Sequence, residues 1–95
     1  MKYLFNEEGV LLPQRLLKCV LAFFYGKTPR HFRRELQNIM PIKSGRYYSA
    51  VEVKKIMEKF DVIYQSDVEI ALPRIEKYLK NEKKRNKMRF LRSKH

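Results

Sequence analysis

Apolar side chains recur along this chain at helical spacing in four stretches, separated by proline, glycine or a capping residue. From Leu12-Pro13 to about Phe24, the residues Leu16, Leu17, Val20, Leu21 and Phe24 share one face, and Gln14, Arg15 and Lys18 look outward. This predicts a first helix. Tyr25-Gly26-Lys27 breaks it, with Gly26 suited to the left-handed position that closes a helix end. Thr28 is a good N-cap and Pro29 a good first helical residue, since its missing N–H costs nothing there. A second helix therefore runs from Thr28 to Met40, burying Phe32, Leu36, Ile39 and Met40, and Pro41 ends it. Lys43-Ser44-Gly45-Arg46 reads as a turn and Tyr47-Tyr48 as an extended segment, so residues 42–48 predict a small hairpin or wing.

Ser49 and Glu52 form a capping box, each side chain able to satisfy a free backbone donor at a helix start. The third helix follows, with Val53, Ile56, Met57 and Phe60 inside and Lys54, Lys55, Glu58 and Lys59 outside, and Asp61 closes it. Residues 62–65 read as a strand or an extended link, and Ser66 to Glu69 repeats the capping-box pattern. Val68, Ala71, Leu72, Ile75 and Leu79 carry the last stripe. Pro73 conflicts with an unbroken helix, because an interior proline removes a backbone bond and clashes with the preceding turn. The helix either kinks there or begins at Leu72-Pro73, and the expectation is one helix restarting at Pro73 and running beyond Tyr78. At the other end of the chain, Tyr3-Leu4-Phe5 predicts a short strand and Glu7-Glu8-Gly9 a turn.

These elements predict one mainly α domain with a minor β wing, of helix-turn-helix or winged-helix-like class, over residues 1–79. A basic C-terminal helix or tail follows over 80–95. Helix, glycine-containing break and capped helix together are the sequence form of a helix-turn-helix, although a plain αα-hairpin would read the same way.

Charge sharpens the picture. The 95 residues carry a net charge of +12 and a pI near 10.0, which favours a polyanionic partner. Lys77 to His95 contributes +8, from nine basic residues against the single carboxylate of Glu82. Hydrophobic residues make up 44% and aromatics 13%, a composition for a packed core rather than for disorder. On the second helix Arg30, Arg33, Arg34 and Gln37 lie opposite the apolar stripe, with Glu35 the one carboxylate to offset them. Arginine and glutamine are the side chains that read guanine and adenine edges in the major groove. An ordinary solvated face is the bland reading of the same residues.

The chemistry of catalysis leaves no constellation here. His31 and His95 have no second ligand at metal spacing, and Gly9, Gly26 and Gly45 are too far apart for a phosphate loop. Cys19, the single cysteine, sits in an apolar run without a histidine nearby in sequence, and Ser49, Ser66, Glu52 and Glu69 are explained by capping. No enzyme, cofactor or metal is expected. The start turns acidic too soon for a signal peptide, and the longest apolar run, Cys19 to Tyr25, is far short of a bilayer span. The lone cysteine fits a reducing compartment, so the cytoplasm is the expected location.

One stretch resembles a known family. Leu-Ala-Phe-Phe-Tyr-Gly-Lys-Thr-Pro-Arg-His-Phe-Arg-Arg-Glu-Leu (Leu21 to Leu36), then Gly45-Arg46-Tyr47-Tyr48-Ser49-Ala50-Val51-Glu52-Val53, then Ile56-Met57-Glu58-Lys59-Phe60, resembles small helix-turn-helix proteins of the excisionase and MerR-like kind. These abound in bacterial mobile elements and phages, notably in Bacteroidetes. The resemblance covers about half the chain. It implies a winged-helix-like DNA-binding domain in transcriptional or recombinational control, with the recognition helix on Thr28, Arg30, His31, Arg33 and Arg34 and the wing on Lys43, Ser44 and Arg46. The chain departs from the pattern in its Arg33-Arg34 pair, and from Asp61 onward it has no counterpart.

The resulting expectation is a DNA binder in which Arg30, Arg33, Arg34 and Gln37 face the groove, with Thr28 and His31 joining them as the resemblance implies. Lys43 and Arg46 would contact backbone, and Lys83, Lys84, Arg85, Lys87 and Arg89 would follow phosphate. Two rivals remain open at this level. One is a phage or mobile-element interaction protein docking its basic surface on an acidic partner or on packaged nucleic acid. The other is an RNA binder using Tyr47 and Tyr48 for stacking. A homodimer is compatible with each.

Overall fold

The computed structural model describes residues 3–92, with side chains described over 3–83. Its elements are β1 (Leu16–Leu17), α1 (Lys18–Phe24), α2 (Pro29–Gln37), β2 (Tyr47–Tyr48), α3 (Ala50–Lys59) and α4 (Gln65–Arg92). The fold is mainly helical with a small two-stranded antiparallel sheet, and α1 packs against both α2 and α4.

The first helix is shorter than its sequence pattern predicts. Leu16 and Leu17 are not helical but pair with Tyr48 and Tyr47 respectively. The paired Leu16 and Tyr48 are both buried in the core, while Tyr47 is exposed. Strand alternation thus takes over the start of the helical stripe, and two adjacent leucines suit either pattern. The same pairing replaces the expected hairpin within 42–48. Residues 42–46 hold no strand, and β2 finds its partner across the helical pair, where the Lys18 N–H donates to the Arg46 carbonyl at 2.8 Å.

α2 opens as the sequence requires: the Thr28 hydroxyl accepts from the His31 N–H at 3.2 Å and Pro29 takes the first helical position. It closes earlier than expected, at Gln37, with Asn38 as its C-cap. Met40 precedes Pro41 and is disfavoured in helical geometry, so the chain leaves the helix before it reaches either residue. Ile39 consequently turns outward and is 41% exposed, where the stripe placed it in the core. Between α1 and α2, Gly26 adopts φ +70°, open to glycine at no steric cost. Tyr25 ties this corner down. Its ring stacks on Phe32 at 5.4 Å, both rings meet Phe60 beyond α3, and its hydroxyl donates to the Asp61 carbonyl at 2.7 Å. Burial pushes this phenol well above its ordinary pKa.

α3 carries the complete capping box, with Ser49 accepting from the Glu52 N–H and Glu52 accepting from the Ser49 N–H. α4 departs from expectation at two points. It starts at Gln65, not at Pro73, and the side chain that reaches back to its first turn is Asp67, accepting from the Tyr64 N–H at 2.9 Å. Ser66 lies inside the helix rather than capping it. Pro73 is interior and exposed, and the carbonyl whose helical donor it removes belongs to Glu69, itself an exposed residue that water can reach. Val68 and Ala71 before the proline and Ile75 after it are all buried, so both halves of the helix pack on the same core.

The core gathers Leu11, Leu16, Val20, Leu21, Phe24, Phe32, Leu36, Tyr48, Val53, Ile56, Ile63, Val68 and Ile75, drawn from every element. The N-terminal segment is a tight loop in place of a full strand. Phe5 bridges to Leu11, Val10 bridges to Tyr64, and the Leu11 N–H donates to the Ile63 carbonyl at 2.7 Å. Beyond Ile75, no described side chain of α4 is fully buried, Leu79 and Glu82 being partly so, and the helix runs on to Arg92. Among the described residues no helix is long and apolar enough to cross a membrane.

Candidate nucleic-acid interface

The orientation of α2 follows from its two anchors. Phe32 is 1% and Leu36 0% exposed, which fixes the rotation of the helix and turns Arg30, Arg33, Arg34 and Gln37 to solvent. Thr28 and His31 lie at the same end, with His31 exposed. Glu35, the one carboxylate of this helix, is already engaged: it takes Lys27 through a hydrogen-bonded ion pair and His31 at 3.0 Å. The hydrogen bond from Lys27 is the main reason its carboxyl sits below the usual range. Arg30, Arg33 and Arg34 make no ion pair among the described residues.

The loop before β2 lies against the start of this helix. Its Gly45 and Arg46 face Pro29, Arg30 and Arg33 across an open cleft of about 410 Å³, completed by Leu17, Lys18, Cys19, Tyr48, Tyr78 and Glu82. The fold therefore brings Arg30, Arg33 and Arg46 together. Arg34, Gln37, His31 and Lys43 stay exposed outside the cleft lining, and so does Lys83 on α4. The side chains of Lys84, Arg85, Lys87 and Arg89 lie outside the described residues; their backbone belongs to α4. Lys18, which the sequence pattern turned simply outward, donates its ammonium to the Lys43 carbonyl and lies 5.4 Å from the Tyr48 ring centre. Arg46 reaches Glu82 of α4 at 3.8 Å, both partly exposed.

Lys18, Tyr78 and Glu82 are the members of this cleft that the sequence did not point to. Only Glu82 left a signal there, as the lone carboxylate among nine basic residues of 77–95. Cys19 sits at the cleft wall, and burial together with the Glu82 charge pushes its thiol up, away from the reactive thiolate. Burial likewise raises the Tyr48 phenol. Tyr47 has one ring face covered by the Arg15 guanidinium at 3.9 Å. Among the described residues no three His, Cys, Asp or Glu side chains gather as a metal would need.

No protein-family model, curated protein or solved structure matches the chain.

Proposed function

We propose that the chain is a DNA-binding domain without enzymatic activity, acting in transcriptional or recombinational control as its resemblance to excisionase and MerR-like proteins implies. The observation that carries this reading is the outer face of α2, where three arginines with no carboxylate partner among the described residues stand exposed with Gln37 opposite the anchored Phe32 and Leu36. A short helix held rigidly on its inner side and lined with arginine and glutamine on its outer side suits the major groove. There arginine pairs with guanine and glutamine with adenine. In this reading the loop carrying Lys43 and Arg46 takes the part of a wing on the backbone. Lys83, and the basic residues that follow it in sequence, track phosphate along α4. Phosphate contacts supply most of the affinity, and α2 supplies the sequence preference.

RNA stacking is less well served, because Tyr48 is buried and Arg15 already covers one face of Tyr47. The test is Arg33→Ala, measured by competition among duplexes after selection of a best site. The variant should lose about 1–3 kcal/mol on that site and discriminate less between sequences. Equal loss on every duplex would make Arg33 a phosphate anchor. No duplex affinity at low salt would overturn the reading in favour of an acidic protein partner.

A further inference from the structure

The cleft between α2, the loop before β2 and α4 has a charge arrangement that groove recognition does not account for. Lys18, Arg30, Arg33 and Arg46, from three separate segments, converge on one concavity of about 410 Å³. The concavity holds one carboxylate, that of Glu82, which stands 3.8 Å from Arg46, longer than a hydrogen bond, with its side chain 39% exposed. Arg30 and Arg33 are left without an ion pair among the described residues. Four cations around a single loosely held carboxylate leave a positive excess that a tetrahedral phosphate oxyanion can match, through the planar donor forks of arginine.

We propose that this cleft is a phosphate-binding site and that Glu82 is its internal competitor, a carboxylate lent by α4 to Arg46 that an incoming phosphate displaces. The proposal rests on the DNA reading only for the source of the phosphate; a backbone phosphodiester and a small phosphorylated molecule share the chemistry. Displacement frees Arg46 from α4, so occupancy of the cleft and the contact between the loop and α4 exclude each other.

The full chain, Glu82→Gln, Arg46→Gln and a surface control, Lys55→Gln on α3, are titrated by calorimetry at low salt with pyrophosphate and with a mixed-sequence duplex. Circular dichroism establishes that each variant is folded. Glu82→Gln should bind pyrophosphate about two- to fivefold more tightly, the scale of one exposed ion pair. Arg46→Gln should bind it more weakly, and Lys55→Gln should match the parent. If the duplex follows the same order, the cleft takes backbone phosphate. Pyrophosphate binding in that order with no duplex binding would support the cleft as a small-phosphate site and overturn the DNA reading. Duplex binding unchanged in Glu82→Gln and Arg46→Gln, with no pyrophosphate binding, would overturn the cleft and leave the DNA reading standing. Pyrophosphate binding that ignores Glu82→Gln would overturn the competitor role, and failure of both ligands would overturn both inferences.

Discussion

Phe32 ties three parts of the molecule together. It is 1% exposed and touches the rings of Tyr25 and Phe60, so it joins the helix that faces outward to the α1–α2 corner and the end of α3. Phe32→Ala should cost about 3–5 kcal/mol in denaturant unfolding, the range for a large buried aromatic. Its role was legible from spacing alone, because Phe32 and Leu36 are four apart on a capped helix. Ile39, three residues further on, continues the same face and is nonetheless exposed. The difference lies in the backbone: Asn38 and the residue before Pro41 end the helix, and a periodicity has no meaning past the last helical turn. Arg30, Arg33, Arg34 and Gln37 were readable as a surface because their positions follow from the buried pair. Lys18 was not, since its contacts with Lys43 and Tyr48 arise only once β1 meets β2.

The elements separate local signals from long-range ones. α3 was fully legible, since Ser49 and Glu52 stand three apart and need no other part of the chain. β1 was not, because Leu16–Leu17 becomes a strand only through Tyr47–Tyr48, which lie beyond two intervening helices. The start of α4 shows a subtler case. Two overlapping patterns compete there, and the one satisfied is Tyr64 with Asp67, not Ser66 with Glu69. Asp67→Ala should therefore lower stability by about 1 kcal/mol, as removal of a helix-start acceptor does. Ser66→Ala should change it by no more than about 0.5 kcal/mol, as at other exposed positions. Chemical denaturation of the two variants in parallel checks the assignment. Pro73 belongs to the same element: propensity argued for a break, and burial on both sides of it prevailed. Pro73→Ala should raise stability by up to about 3 kcal/mol, read as a higher midpoint in the same assay.

At the scale of the whole molecule, the domain and its C-terminal extension share one helix. The last fully buried side chain of α4 among those described is Ile75, so removal of residues 83–95 should leave the domain folded, with a cooperative thermal transition. Affinity for duplex DNA should fall, and the slope of log affinity against log salt should flatten by about 0.9 for each phosphate that the shortened protein no longer neutralises. An unchanged slope would mean that the extension touches no phosphate. The sequence left the extension open as helix or tail, since the stripe fades after Leu79; what it did not show is that the same helix starts at Gln65 and passes through Pro73. This continuity has a consequence in rotation. Because α4 runs from Gln65 to Arg92, the backbone azimuth of each of its residues beyond the core is set by that of Ile75 inside it. One residue inserted after Leu79 would swing the whole overhang by about 100°, whereas an insertion of seven would return it to within about 20°. Lys80 and Lys83 are thus aimed rather than tethered, and their direction is inherited, turn by turn, from the core.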